Sequence, residues 1–247
     1  MSAGSRRAIP EERGGYRDAM PLDRDHVLAN LATIRSGVEA ACDRAGRDPA
    51  EVLLVAAAKR VPAEAVRWVA EAGVTAIGEN YVNELREIHD EVPGVRWHYI
   101  GALQTNTAHH VAALADVVET LSGERATARL ARRAADDGRR LEALIEVDLT
   151  GDRSGVGPDE VGVFADRVAS LEGLRLRGLM TLPPLTETAE EARPWFRQLR
   201  GLRDRVREKH PDVVDLSMGM SLDYQAAVEE GATMVRIGTA LFGPRTP

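Results

Sequence analysis

From residue 52 to residue 237 the chain repeats one unit: a short apolar run that stops at small or polar residues, then a stretch with helical spacing. The apolar runs are 52–58, 74–77, 96–100, 116–121, 141–149, 174–180, 213–216 and 233–237. Continuous apolar runs, rather than alternating ones, are expected of parallel strands buried on both faces. Helical stretches fill the gaps, several of them closed by a glycine such as Gly73, Gly138 or Gly231. Right-handed crossovers then allow a closed barrel or an open doubly wound sheet. Eight strands, and two small-residue loops after the last two of them, favour a single α/β domain with the (β/α)8 TIM-barrel fold. A chain of 247 residues fits that size, and no linker interrupts the alternation, so one barrel domain is expected over 22–247.

Ahead of the barrel, residues 1–21 are rich in Gly, Arg, Glu and Pro without periodicity and are expected to be disordered. Leu28, Leu31, Ile34, Val38 and Ala41 then recur at helical spacing. They predict an extra N-terminal helix that ends near Gly46 and covers the outside or one end of the barrel. Cys42 is expected in its packed face.

A formal net charge of −7 argues against nucleic acid or an anionic membrane as the main partner. Cys42 is the sole cysteine, so no intrachain disulfide or thiolate metal cluster can form. No run is long enough to span a bilayer, and no apolar segment follows Arg6 and Arg7, which makes the cytoplasm the expected location. The histidines show no metal-ligand spacing, and His98, alone in its strand, reads as a satisfied core residue.

In such a barrel, chemistry collects at the carboxyl ends of the strands. Lys59 closes the first apolar run, so its stem starts inside the barrel mouth. Desolvation there favours a neutral amine, which can attack an aldehyde and form a Schiff base. An isolated strand-end lysine would more commonly snorkel to water. The other edge of the mouth changes the balance. After the seventh run come Ser217-Met218-Gly219-Met220-Ser221, and after the eighth Gly238-Thr239. Small residues next to a helix start let backbone N–H groups approach an anion. An aldehyde-reactive amine facing a phosphate cradle suits pyridoxal 5'-phosphate. Ser217 and Ser221 also suit capping of the helix near Leu222, a role compatible with anion binding. Arg236, inside the barrel, needs a partner, and Glu79 or Asp148 is the expected one.

The segments Gly78-Glu79-Asn80-Tyr81, Trp97 through Asn106 (WHYIGALQTN), Arg177-Gly178-Leu179-Met180, Leu216 through Asp223 (LSMGMSLD) and Val235 through Gly243 (VRIGTALFG) occur in this order. Together they resemble the pyridoxal phosphate homeostasis proteins, over about residues 23–245. The resemblance implies a fold-type III barrel like the N-terminal domain of alanine racemase, with pyridoxal phosphate as an internal aldimine on Lys59. It implies that Ser217, with Met220 and Ser221 in the same loop, and the Gly238-Thr239 turn bind the phosphate. It further implies that Arg236 faces the pyridine nitrogen, and that Asn80 and Met180 line the ring. The implied role is buffering or delivery of the cofactor, with PLP-dependent apoenzymes as recipients, by a monomer without established turnover. The chain departs from the family pattern at Ala58 and Arg60, which flank the amine, and at Thr107 and Arg153. Two enzyme readings stand beside it: an amino-acid racemase, which would need a second acid/base from a further domain, and a Schiff-base aldolase on a phosphorylated substrate.

Overall fold

The computed structural model describes residues 22–152, 154–184 and 186–244. The expected disorder of 1–21 and the departure at Arg153 lie outside the described residues. Eight parallel strands close into a barrel in sequence order. They are β1 Leu53–Ala57, β2 Ala76–Glu79, β3 Arg96–Tyr99, β4 Val117–Leu121, β5 Leu141–Glu146, β6 Leu174–Met180, β7 Asp215–Ser217 and β8 Met234–Ile237. The expected alternation is therefore observed strand for strand. Closure is made by β1 on β8, with Ala56 opposite Ile237.

The helices are α1 Arg24–Ala45, α2 Ala63–Glu71, α3 Val82–Ile88, α4 Ala108–Leu114, α5 Glu124–Asp136, α6 Val161–Ala169, α7 Ala189–Lys209, α8 Tyr224–Glu229 and α9 Thr239–Phe242. Asp23 caps α1 by accepting from the His26 N–H at 3.2 Å, and Gly46 ends it at φ 64°. Left-handed backbone there favours glycine. Among the described residues, β8 is followed by the four-residue α9. The N-terminal helix packs beside it: α1 contacts α2, α8 and α9, and Asn30 donates to the Leu241 carbonyl at 3.1 Å. Of the two expected positions for α1, the outside of the barrel is the one observed.

Several helices start later than their periodicity suggests. Helix α4 begins at Ala108 rather than 105, because Thr107 turns back onto the Gln104 carbonyl through both its N–H and its hydroxyl. Helix α6 begins at Val161 rather than 158, and α8 at Tyr224 rather than 222. Helix α7 carries Pro194 inside it, where one N–H bond of the second turn is forfeited.

Strand alternation divides the core into two layers. Outward side chains such as Ile77, Trp97 and Leu179 join the large cluster beneath the helices. Inward ones, Val55, Ala76, Val117, Leu144, Met180 and Met234, form a small apolar plug inside the barrel. Two residues further along β4 and β8, the inward positions become charged, with Glu119 after Val117 and Arg236 after Met234.

Candidate functional site

Each strand hands its last residues to the barrel mouth, so the site follows from register. Lys59 lies two residues past the end of β1, and Gly238 one residue past the end of β8. These are neighbouring strands, so the backbone leading to Lys59 and that leading to the Gly238-Thr239 turn leave the barrel side by side, about 4.8 Å apart. The Lys59 side chain is half-buried and holds its Nζ 5.0 Å from the centroid of the Tyr81 ring, a cation–π contact. The chain turns sharply after it: Arg60 takes φ 57°, a conformation that costs a non-glycine residue about 1–2 kcal/mol. Glu84 holds this turn by accepting from the Arg60 N–H at 2.8 Å.

The anion side of the mouth is built from the loop after β7 and the start of α9. Gly219 adopts φ 95°, and a Cβ there would lie 2.6 Å from the Cβ of Ala227, so the loop needs glycine on both counts. Met220 donates its N–H to Asp223 at 2.6 Å. Ser221 Oγ accepts from the Ala240 N–H at 3.0 Å, which ties this loop to the turn after β8. The first N–H groups of a helix have no acceptor inside it, so those of Gly238 and Thr239 at the head of α9 suit an anion. The turn after β8, expected as a loop, thus opens a helix, α9, whose four residues are too few to show a period.

Inside the mouth, buried polar groups form a chain. Arg236 is 4% exposed. Its guanidinium donates to Ser217 Oγ and, at 2.9 Å, to the Thr181 carbonyl. Ser217 donates in turn to Glu119 Oε2 at 2.5 Å. Glu119 Oε1 lies 2.6 Å from His98 Nδ1, and its Oε2 lies 3.7 Å from Arg236. Burial alone would push the Glu119 carboxyl up. The His98 hydrogen bond and charge, the Arg236 charge and the Ser217 hydroxyl outweigh burial and hold it below the ordinary carboxylate range. Burial pulls Arg236 below its ordinary value, against the charges of Glu119, Glu146 and Asp223.

One expectation changes here. The partner of Arg236 is Glu119, not Glu79 or Asp148. Glu79 turns its carboxylate back onto the Asn80 and Tyr81 N–H groups at 2.6 and 3.3 Å, and Asp148 caps the Thr150–Gly151 turn. Ser217 is fully buried and its hydroxyl bonds Glu119 and Arg236, while Ser221 lies beside the α9 start. His98 is a core histidine as expected, though its Nε2 has no partner among the described residues. Met180 is 1% exposed and caps the interior plug, while Asn80 and Met220 are half-buried and Thr239 is exposed. The sequence signal for Glu119 was present as a lone acid at an inward position of the apolar run VVETL.

Glu79 carries a separate consequence. Burial, and after it the neighbouring Glu84 charge, push its carboxyl up to about 7, against the two N–H bonds that hold it down. The folded protein thus keeps this proton longer than the unfolded chain does. Stability falls as pH rises from about 4.5 to about 7 and is level above that. Glu79→Gln keeps an acceptor for both N–H groups and removes the titration. It is expected to exceed the parent by roughly 2–3 kcal/mol near pH 8 and to match it near pH 4, in unfolding measured across pH.

Fold and site together define a closed (β/α)8 barrel of the alanine racemase N-terminal type, and that domain's family model matches residues 28–246. The likeness to an alanine racemase of Clostridium difficile (TM-score 0.74, 14% identity, 92% of this chain and 61% of that one) is one of fold. Closer likeness in sequence lies elsewhere. The pyridoxal phosphate homeostasis protein of Escherichia coli K12 is 39% identical over 230 residues, 89% of this chain and 97% of that protein. That of Aquifex aeolicus is 37% identical over 225 residues, 89% and 99% of the two. PipY of Synechococcus elongatus, solved with pyridoxal phosphate bound, superposes with a TM-score of 0.79 at 33% identity, covering 88% of this chain and all of that one. The chain belongs to the pyridoxal phosphate homeostasis protein family. No helix among the described residues is long and apolar enough to cross a membrane.

Proposed function

We propose that this protein binds pyridoxal 5'-phosphate on Lys59 and serves to buffer or deliver it. The observation that carries the reading is the pairing of β1 with β8. It makes the strand end that leads to Lys59 a neighbour of the one that leads to the Gly238-Thr239 turn, and Arg236 belongs to the second of these strands. The residues present fit the group. An amine meets the aldehyde, backbone N–H groups at a helix start and Ser221 meet the phosphate dianion, and a guanidinium meets the ring nitrogen. Asn80 and Met180 are assigned to the ring's surroundings, and Met220 to the phosphate loop. When bound, the cofactor supplies an aldehyde that condenses with Lys59, releasing water. The chain's own work is to hold the phosphate, orient the ring and keep the amine at the aldehyde carbon.

A guanidinium is a permanent donor and disfavours a protonated ring nitrogen. That weakens the ring as an electron sink and disfavours transaminase and decarboxylase chemistry. PLP-dependent apoenzymes are the proposed recipients, and a monomer in the cytoplasm the proposed state.

The test is ligand competition. Pyridoxal, which has the aldehyde and lacks the phosphate, should bind far more weakly than pyridoxal phosphate, and inorganic phosphate should compete with the latter. Thr239→Val keeps the backbone donors and removes a hydroxyl, and should cost roughly 1–3 kcal/mol in affinity if that hydroxyl meets the phosphate. Equal affinities for pyridoxal and its phosphate would place the anion site elsewhere. Exchange of the Cα proton of alanine in heavy water at about one per second or faster would favour the racemase reading instead.

A further inference from the structure

The buried chain inside the mouth is unusual in what surrounds it. One layer deeper the barrel is filled by Val55, Val117, Met180 and Met234, so apolar filling suits this interior. Taking a carboxylate and a guanidinium out of water is costly, and apolar replacements of similar volume are often neutral or stabilising. A charged pair kept in the layer next to the mouth therefore calls for a role other than stability.

The connectivity suggests which role. Both Glu119 oxygens are engaged, Oε1 by His98 Nδ1 at 2.6 Å and Oε2 by the Ser217 hydroxyl at 2.5 Å. The carboxylate is thus pinned between β3 and β7, two walls of the barrel. Ser217 has one O–H to donate and gives it to Glu119, which turns its lone pairs to Arg236. The second amino group of Arg236 is fixed by the Thr181 carbonyl. These two bonds use two of the five guanidinium N–H donors and set the plane in which the others lie.

We propose that Glu119 is a positioning residue that, through the Ser217 hydroxyl, holds the Arg236 guanidinium in place for the ring nitrogen of pyridoxal phosphate. The proposal rests on the reading that this barrel binds that cofactor. Glu119 itself does not reach the mouth, being fully buried. It acts on the ligand only by deciding where Arg236 points. Replacing it by glutamine keeps the shape and offers a single acceptor oxygen to two donors, His98 and Ser217. Whichever loses faces an N–H₂ group instead, and the Ser217–Arg236 bond loses its fixed direction.

The experiment compares two ligands on the full chain: pyridoxal phosphate and its 1-deaza analogue, in which C–H replaces the ring nitrogen. Glu119→Gln should weaken pyridoxal phosphate binding by roughly 10- to 100-fold, the range for a charge-assisted hydrogen bond. The same variant should bind the deaza analogue as the parent does, and inorganic phosphate should compete with that analogue equally in both proteins. Ser217→Ala, which removes the relay and leaves the carboxylate, should show the same ligand-selective loss and serves if Glu119→Gln fails to fold. Equal losses for both ligands, or no loss with either, would overturn the positioning role while leaving the cofactor reading intact. A parent protein that binds neither ligand would overturn the cofactor reading, and the proposal with it.

Discussion

Lys59→Ala protein is expected to form no covalent complex with pyridoxal phosphate while remaining folded. The chain holds two lysines, Lys59 and Lys209, so the choice of ε-amine is narrow. Lys209 ends α7, at the opposite end of the barrel from the strand termini, and its Nζ is paired with Asp166 at 2.7 Å. Lys59 stands at the mouth, over Tyr81, past the end of the strand that pairs with β8. Its half-buried side chain contributes to stability on the order of 0.5 kcal/mol or less, so the melting temperature should hardly move. The phosphate cradle and Arg236 are untouched, and a residual non-covalent affinity, weaker by about a hundredfold or more, should survive. Absorbance of the bound cofactor, together with equilibrium dialysis, separates the two effects. Unchanged cofactor absorbance in Lys59→Ala would contradict the assignment.

Gly101→Ala is expected to be the most damaging single methyl group in the mouth. Gly101 follows β3, and a Cβ on it would lie 1.9 Å from the Asn80 carbonyl oxygen, a backbone atom with no rotamer to escape through. The Gly101 carbonyl is itself the acceptor of the Thr120 hydroxyl at 2.6 Å, so the backbone is held from the other side too. The β2 and β3 ends must part. The cost should reach roughly 2–4 kcal/mol, a loss of about 5–10 °C in melting temperature for a chain of this size. Because the segment that must move carries Asn80 and Tyr81, cofactor affinity should fall with stability. Gly123→Ala, where nothing lies within 4 Å of a new Cβ, is the control and should be near neutral. A Gly101→Ala protein as stable as that control would mean that the two strand ends are not packed as described.

These two sites also mark where sequence was enough and where it was not. The strands were legible because a parallel barrel buries both faces, which leaves runs such as LLVAA without polar interruption. Lys59 was legible because it breaks such a run at its end. Its position relative to Gly238-Thr239 was not: the turn is expected across the mouth from Lys59, whereas closure pairs β1 with β8 and makes the two strand ends neighbours. The partner of Arg236 was not legible. A strand-end acid such as Glu79 looks equivalent to Glu119 until the pleat is known, and the pleat sends Glu79 back onto its own loop and Glu119 into the barrel. The bonds of Ser217 to Glu119 and Arg236 were not legible either, because small residues at a loop start look alike. Being the last residue of β7 rather than the first of the loop turns it inward. Helix α9 was lost for a plainer reason, since one turn of helix has no period to detect.

The most direct test of the account is chemical capture of the cofactor on the unmutated protein. After loading with pyridoxal phosphate and reduction with borohydride, peptide mass mapping should find one phosphopyridoxyl group, on the peptide that contains Lys59. Its yield should fall when excess inorganic phosphate is present during loading. An adduct on Lys209 or on the chain's amino terminus, with Lys59 unmodified, would contradict it.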